Sequence, residues 1–295
     1  MKYIINEKWN NKIIKDYLQR ELKLSSRMIK SLKQTVNGIL LNGEEVYVNR
    51  TIKTGDTLEL DYSDGEKDVN EYLIKTDIPV NIIYEDENFT VVNKSANMPT
   101  HQSINHYTDT LANALAFKYK DRPYVFRAIN RLDKNTSGVV VTANNRMYAD
   151  ILASKLKEGK FYKEYIAIVE GRIDKGGVID APIKREENTI MLRKVADDGE
   201  YAVTEYTPVL FSDEISVLKV RPITGRTHQI RVHMMHIGHP IIGDDLYNVE
   251  SDLINRQALH ASKLKIEGIG EYTAPIPEDM MALIGRYFKN EEIVL

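Results

Sequence analysis

The loop Asn130-Arg131-Leu132-Asp133-Lys134-Asn135-Thr136-Ser137-Gly138 runs straight into the β-branched stretch Val139-Val140-Val141. Turn-type and charged residues that feed a buried strand hold their side chains against a rigid element. A single carboxylate held in this way is suited to nucleophilic or general-base chemistry. Asp-Lys-Asn is equally ordinary turn chemistry, so the loop alone leaves both readings open. Two other places bear on the choice. Tyr165 lies in Phe161–Val169, a strand by its aromatic and β-branched content, where a tyrosine is more often core than catalyst. Arg226 lies in Thr224-Gly225-Arg226-Thr227-His228-Gln229-Ile230-Arg231, which reads as a strand-to-turn-to-helix junction. There a guanidinium meets the free N–H groups of a helix start, and such a place attracts carboxylate or phosphate.

Four of the seven histidines, His228, His233, His236 and His239, fall within twelve residues, so a metal site has to be weighed. The His-Glu-x-x-His spacing of zinc hydrolase helices is absent, and no acidic residue accompanies His233 and His236 within their helix. The expectation is therefore no metal, with these histidines making hydrogen bonds or touching RNA. There is also no Gly-x-Gly-x-x-Gly after a strand, no Gly-Lys-Ser/Thr phosphate loop and no Gly-x-Ser-x-Gly elbow. Nucleotide cofactors and serine hydrolysis lose support.

The elements that must position these residues are readable in outline. Ile82–Tyr84 and Phe89–Lys94 form a hairpin around an Asp86-Glu87-Asn88 turn, and Thr110 can cap a helix carrying Leu111, Leu115 and Phe117. A helix over 146–156 follows the Asp133 loop. Strands are expected over 161–169, 190–194, 202–210 and 215–221, then a helix with Ile230, Met234 and Ile237 on one face and Gly238 after its end. Ala258-Leu259-His260-Ala261 begins a further strand.

The N-terminal stretch is different in character. Lys12, Lys15, Arg20, Lys23, Arg27, Lys30 and Lys33 are interrupted by only two acidic residues, Asp16 and Glu21, although the whole chain carries −3. Ile13, Ile14, Tyr17, Leu18 and Leu22 give one amphipathic helix, and Ser25 or Ser26 can cap a second over Arg27–Lys33. Asn42-Gly43 is a hairpin turn between Ile39–Leu41 and Val46–Val48, and Thr57–Leu60 is a last short strand. The bland reading is a solvated helix face. The functional one is a surface that meets RNA phosphates through Lys12, Arg27, Lys30 and Lys33.

Composition sets the frame. A length of 295 residues predicts two domains, and the polar, acidic stretch around Asp64–Asp68 divides the chain into 1–61, a linker over 62–76, and 77–295. The absence of cysteine removes disulfides and thiolate metal sites. No signal-peptide or membrane-spanning run is present, so the expected compartment is the cytoplasm.

The order of these motifs resembles the RluA/RluD-type pseudouridine synthases. Arg131-Leu132-Asp133-Lys134-Asn135-Thr136-Ser137-Gly138 is similar to that family's His-Arg-Leu-Asp-x-x-Thr-Ser-Gly motif, and Lys163-Glu164-Tyr165-Ile166-Ala167 to its Lys-x-Tyr-x-Ala strand. Gly225-Arg226-Thr227-His228-Gln229-Ile230-Arg231, Gly238-His239-Pro240-Ile241 and Gly243-Asp244 resemble its third motif. Ala258-Leu259-His260-Ala261 and Ala274–Asp279 match its C-terminal pattern, and residues 1–61 resemble the ribosomal S-four-type (αL) RNA-binding domain. The chain departs in two places: Asn130 stands for the usual His, and Ser95-Ala96-Asn97 for the common Pro-Ala-Gly.

The resemblance implies an α+β fold, a bent, mainly antiparallel sheet flanked by helices with the cleft across its middle. It implies isomerisation of uridine to pseudouridine in structured RNA, with large-subunit ribosomal RNA favoured and tRNA the alternative. Asp133 is then the nucleophile or base, Arg226 its ion-pair partner and Tyr165 the residue that stacks on the uracil. Arg131, Thr136, His228, Gln229 and Arg231 become RNA or substrate contacts, with Arg131 holding the RNA once the base is flipped out. No cofactor is implied, since the rearrangement is redox-neutral and loses no group, and a monomer is expected. Against this stand a non-catalytic RNA-binding or ribosome-assembly factor on the same scaffold, and a metal hydrolase built on the histidines.

Overall fold

The computed structural model describes residues 1–63, 69–187, 189, 191–249 and 251–289, and the elements below are those of the described residues. The centre of the expected linker, Asp64–Asp68, lies outside them, as does Ile190 of the strand expected over 190–194.

The N-terminal residues fold around a core of their own. Strands β1 (Lys2–Ile4) and β2 (Lys12–Ile13) precede helices α1 (Ile14–Arg20) and α2 (Ser26–Gln34), followed by β3 (Ile39–Leu41), β4 (Glu44–Glu45), β5 (Thr51–Ile52) and β6 (Thr57–Leu60). Four strands form a sheet in the order β1-β6-β3-β4, and β2 pairs with β5. Ser25 is the cap of α2, its Oγ accepting from the Met28 N–H at 3.1 Å. Ile14, Tyr17, Leu18, Met28, Ile29 and Leu32 pack inward, and the seven cationic residues between Lys12 and Lys33 are all exposed. The return strand of the hairpin is Glu44–Glu45 rather than Val46–Val48. Asn42 and Gly43 both take positive φ, which closes the turn in two residues and brings pairing forward.

The second part contains β7 (Asn81–Glu85), β8 (Phe89–Lys94), α3 (Leu111–Lys118), β9 (Ser137–Ala143), α4 (Arg146–Lys157), β10 (Phe161–Glu170) and β11 (Gly177–Asp180). It continues with β12 (Ile183–Arg185), β13 (Arg193–Val195), β14 (Val203–Phe211), β15 (Ile215–Pro222), α5 (Gln229–His236), β16 (Leu259–Ile266), β17 (Gly270–Thr273) and α6 (Glu278–Tyr287). Nine strands form one sheet in the order β11-β14-β15-β10-β16-β9-β8-β7, with β17 added on β16. The fold is α+β and the sheet mainly antiparallel; within it β16 and β9 pair parallel, through His260–Ser137 and Ala261–Gly138. Helix α6 was not anticipated from the sequence.

Gly138 makes that parallel junction possible. Its φ is +116°, and a Cβ there would meet the Ala261 carbonyl oxygen at 2.2 Å. No side chain fits between strands that approach so closely. The two parts of the chain meet where α2 packs on α4: the Ser25 N–H donates to Asp150 Oδ2 at 3.0 Å, Arg146 Nη1 to Ser31 Oγ at 2.7 Å, and Met147 joins the N-terminal core. Among the described residues no helix is long and apolar enough to cross a membrane.

Candidate active site

The loop before β9 is tied down nearly residue by residue. Asn130 is buried; its amide donates to the Val139 carbonyl at 3.0 Å and its Oδ1 accepts from the Val141 N–H at 2.8 Å, so it laces the loop to β9. Thr100 Oγ1 donates to the Leu132 carbonyl at 3.0 Å, and the Thr136 N–H closes a turn onto the Asp133 carbonyl at 3.1 Å. The ammonium of Lys94 donates to the carbonyls of Ser95, Met98 and Lys134 at 2.8, 2.7 and 3.2 Å. Lys94 is almost fully buried, and desolvation pulls its pKa down to about 7 against the opposing pull of Asp133. From the other side Arg256 Nη1 reaches the Asn135 carbonyl at 3.3 Å, while its Nε and Nη2 grip Asp279 in a two-point ion pair. Asn97, which stands where a glycine is common, has φ +63°, a conformation asparagine tolerates better than most residues. The departure at that position therefore preserves the backbone the loop requires.

Asp133 itself is 30 % exposed and opens into a cleft of about 790 Å³. Tyr165, on β10, lines the same cleft and is buried; desolvation first, and the Asp133 charge second, push its phenol above the usual range and keep it neutral. Arg131, Lys157, Lys163, Arg221, Arg226 and Arg231 also line the cleft, against Asp133 as its acidic residue. A cleft with that charge balance favours a polyanion.

The ion pair expected between Asp133 and Arg226 is made by Arg231 instead. Arg231 Nη1 donates to Asp133 Oδ2 at 3.1 Å. The rest of its guanidinium is clamped on Asp244, Nε to Oδ2 at 2.7 Å and Nη2 to Oδ1 at 2.6 Å, with Arg231 4 % and Asp244 0 % exposed. The reason lies in where the helix begins. His228 takes φ +57° and α5 starts at Gln229, so Arg231 rides on the first turn of a buried helix, facing the Asp133 loop. Arg226 is still in the preceding turn and points toward the segment before β14, where Nη1 pairs with the exposed Glu200 at 2.9 Å and Nε donates to the Tyr201 carbonyl.

Two further expected contact residues are engaged within the protein itself. Gln229 borders the cleft but is buried, with its amide donating to Val203 O and Thr204 Oγ1 and its Oε1 accepting from Thr224 Oγ1 and the Arg226 N–H. Its amide thereby ties the turn before α5 to β14. Thr136 is likewise buried, held by Gln257 Nε2 at 3.1 Å. Arg131 is exposed at the cleft edge, as an RNA contact requires. Of the clustered histidines, His233 has both ring nitrogens engaged, by Thr204 Oγ1 and the Ala181 carbonyl, and His239 meets the Glu170 carbonyl. Among the described residues no three potential ligands come together to hold a metal ion.

Residues 88–236 match the family described as RNA pseudouridylate synthase, and residues 1–58 match the RluD ribosomal pseudouridine synthase N-terminal domain. The chain belongs to the RNA pseudouridine synthases. This synthase is 36 % identical over 279 residues to the uncharacterized RNA pseudouridine synthase YjbO of Bacillus subtilis, covering 92 % of this chain and 98 % of that one. It is 35 % identical over 266 residues to the ribosomal large subunit pseudouridine synthase D of Xanthomonas campestris, covering 83 % and 80 %. Among solved structures it resembles human RNA pseudouridylate synthase domain containing 1, with a TM-score of 0.58 and 28 % identity over 67 % of this chain and 83 % of that one. The synthase is thus an isomerase that acts on RNA. Its sequence pointed to Asp133 and Tyr165 but passed over Lys94, Asp244 and Arg256, which hold the carboxylate loop and its partner. One signal was present: an arginine between the apolar residues Ile230, Val232 and Met234 of a helix needs a carboxylate, and Asp244 was available thirteen residues on.

Proposed function

We propose that Asp133 is the nucleophile or base that converts uridine to pseudouridine in structured RNA, with large-subunit ribosomal RNA as the substrate. The observation that carries the reading is the carboxylate of Asp133, ion-paired by the buried Arg231 and set beside the neutral Tyr165 in a cation-lined cleft. The N1–C1′ bond of the target uridine breaks, the base turns, and a bond from C5 to C1′ replaces it. The proton leaves C5 and N1 gains one, so nothing is oxidised and no group departs. Arg231 orients the carboxylate for this work. Tyr165 packs against the uracil and, being neutral, can exchange a proton in the last step. Arg131 and Arg226 meet phosphates at the cleft rim, Arg226 by exchanging its exposed pairing with Glu200 for RNA. Flipping the base into the cleft costs on the order of a few kcal/mol of stacking, which these contacts and the N-terminal basic face offset. On this reading residues 1–61 form an RNA-binding unit and 77–295 the catalytic one. The choice of ribosomal RNA is supported by the name of the Xanthomonas relative and by the match of the N-terminal residues.

The test is Asp133→Asn, assayed by tritium release from RNA labelled at uridine C5, with RNA affinity measured in parallel. Turnover should vanish while binding stays within a few-fold of wild type. Conversion at a near wild-type rate would remove Asp133 from the chemistry. Mapping pseudouridines in total RNA with and without the protein would separate ribosomal from transfer RNA targets.

A further inference from the structure

Arg231 is not the only group beside the Asp133 carboxylate. His228 Nε2 lies 3.9 Å from the same oxygen, Oδ2, that accepts from Arg231. On its other side, His228 Nδ1 is 2.9 Å from the hydroxyl of Tyr247. That hydroxyl also receives the backbone N–H of Arg193, from β13, at 2.9 Å. A phenol has one proton to give. With its oxygen already accepting from an amide, it is placed to donate that proton to Nδ1, and a neutral imidazole that accepts at Nδ1 carries its proton on Nε2. Burial lowers the His228 pKa, against the pull of Asp133, and raises that of Tyr247, so both remain neutral at pH 7. The ring of Tyr247 also packs edge-on to His228 and lies under the Arg231 guanidinium, 5.1 Å from its carbon.

We propose that Tyr247 is a positioning residue that fixes His228 as the Nε2–H tautomer, so that Asp133 meets two donors on Oδ2 and is left with Oδ1 to react. The inference rests on Asp133 being the reacting carboxylate. The 3.9 Å separation in the free protein is the kind of gap that closes to a hydrogen bond once substrate fills the cleft. It also accounts for the left-handed backbone at His228, whose φ of +57° is uncommon outside glycine. That conformation sets the imidazole between Tyr247 and Asp133 instead of letting the helix begin one residue earlier.

The direct test uses full-length protein with ¹⁵N-labelled histidine and long-range proton–nitrogen correlation spectra, the His228 signals being assigned by their loss in His228→Gln. Wild type should show His228 neutral with its proton on Nε2, and Tyr247→Phe should populate the Nδ1–H form. In single turnover on a C5-tritiated transcript of large-subunit ribosomal RNA, Tyr247→Phe should slow conversion about tenfold, with RNA affinity within twofold of wild type. His228→Gln, whose amide N–H can reach the Nε2 position, should keep more activity than His228→Asn, whose amide cannot. A merely structural Tyr247 would lower thermal stability without moving the tautomer. A wild-type Nδ1–H signal, or a Tyr247→Phe variant with unchanged tautomer and rate, would overturn the proposal. The tautomer is read without substrate, so it stands or falls separately from the Asp133→Asn result.

Discussion

Replacing Arg231 by methionine should damage both the fold and the chemistry, because its guanidinium holds the buried Asp244 as well as Asp133. Arg231 is 4 % exposed and Asp244 0 %, so the variant leaves a buried carboxylate without its cation. Removing one partner from a buried pair costs about 3–5 kcal/mol, which for a domain of this size lowers the melting temperature by roughly 10 °C. The contact with Asp133 is different, since that carboxylate is 30 % exposed and solvent shares in screening it. A charge-assisted hydrogen bond of this kind is worth at most about 1.5–3 kcal/mol, so turnover under single-turnover saturation should fall about 10- to 100-fold. Asp244→Asn separates the two effects: the clamp weakens and the melting temperature drops, yet the arm to Asp133 remains and turnover falls less. Arg226→Met is the contrasting control. Its pair with Glu200, itself 71 % exposed, contributes about 0–1 kcal/mol, so stability should hardly move and any loss should lie in RNA affinity. The measurements are thermal unfolding and tritium release at saturating RNA. If Arg231→Met unfolds and turns over no worse than Arg226→Met, Arg231 is not the partner that matters.

Lys94 gives a pH signature. Burial holds its native pKa at about 7, whereas the unfolded chain keeps the ordinary lysine value. Below about pH 7 both states are protonated and the burial penalty is fully present. Above it the native state has released a proton that the unfolded state retains, so this group makes stability rise with pH, by up to about 1.4 kcal/mol per unit. The stability difference between wild type and Lys94→Met, from denaturant midpoints, should therefore climb from pH 7 to 9; a flat difference would mean that Lys94 stays charged. On the N-terminal face, changing Arg27, Lys30 and Lys33 together to glutamine should leave the melting temperature unchanged and lower the slope of log affinity against log salt by about 2–3. An unaltered slope would make the face a solvated surface.

What could be read from the chain and what could not divide along a physical line. Asp133, Tyr165 and the basic helices lie within short segments whose own residue types declare a loop, a strand or an amphipathic face. The partner of Asp133 depended on the point at which α5 begins. Arg226 and Arg231 stand five residues apart in one motif, and only the left-handed turn at His228 decides that the second faces the carboxylate. The same holds for the supports of the Asp133 loop. Lys94 comes from β8, Arg256 and Gln257 from the approach to β16, and none is near Asp133 in sequence. Local pattern carries no record of them, because they are set by strand order.

That order also explains why the three motifs meet at all. The Asp133 loop enters β9, Tyr165 stands on β10, and β15 leads into α5. In the sheet, β10 lies beside β15, and β16 comes between β10 and β9. The parallel contact of β16 with β9 sets the register: Ser137 stands opposite His260, His260 opposite Ile166 and Ile166 opposite Lys219, so β9 begins level with Tyr165 and the last residues of β15. It requires the bare backbone of Gly138 against Ala261. The carboxylate and its arginine, 98 residues apart in the chain, thus come within 3.1 Å through one close strand contact and one left-handed residue. A side chain added at Gly138 would part β9 from β16 and move Asp133 relative to Arg231 without touching either residue.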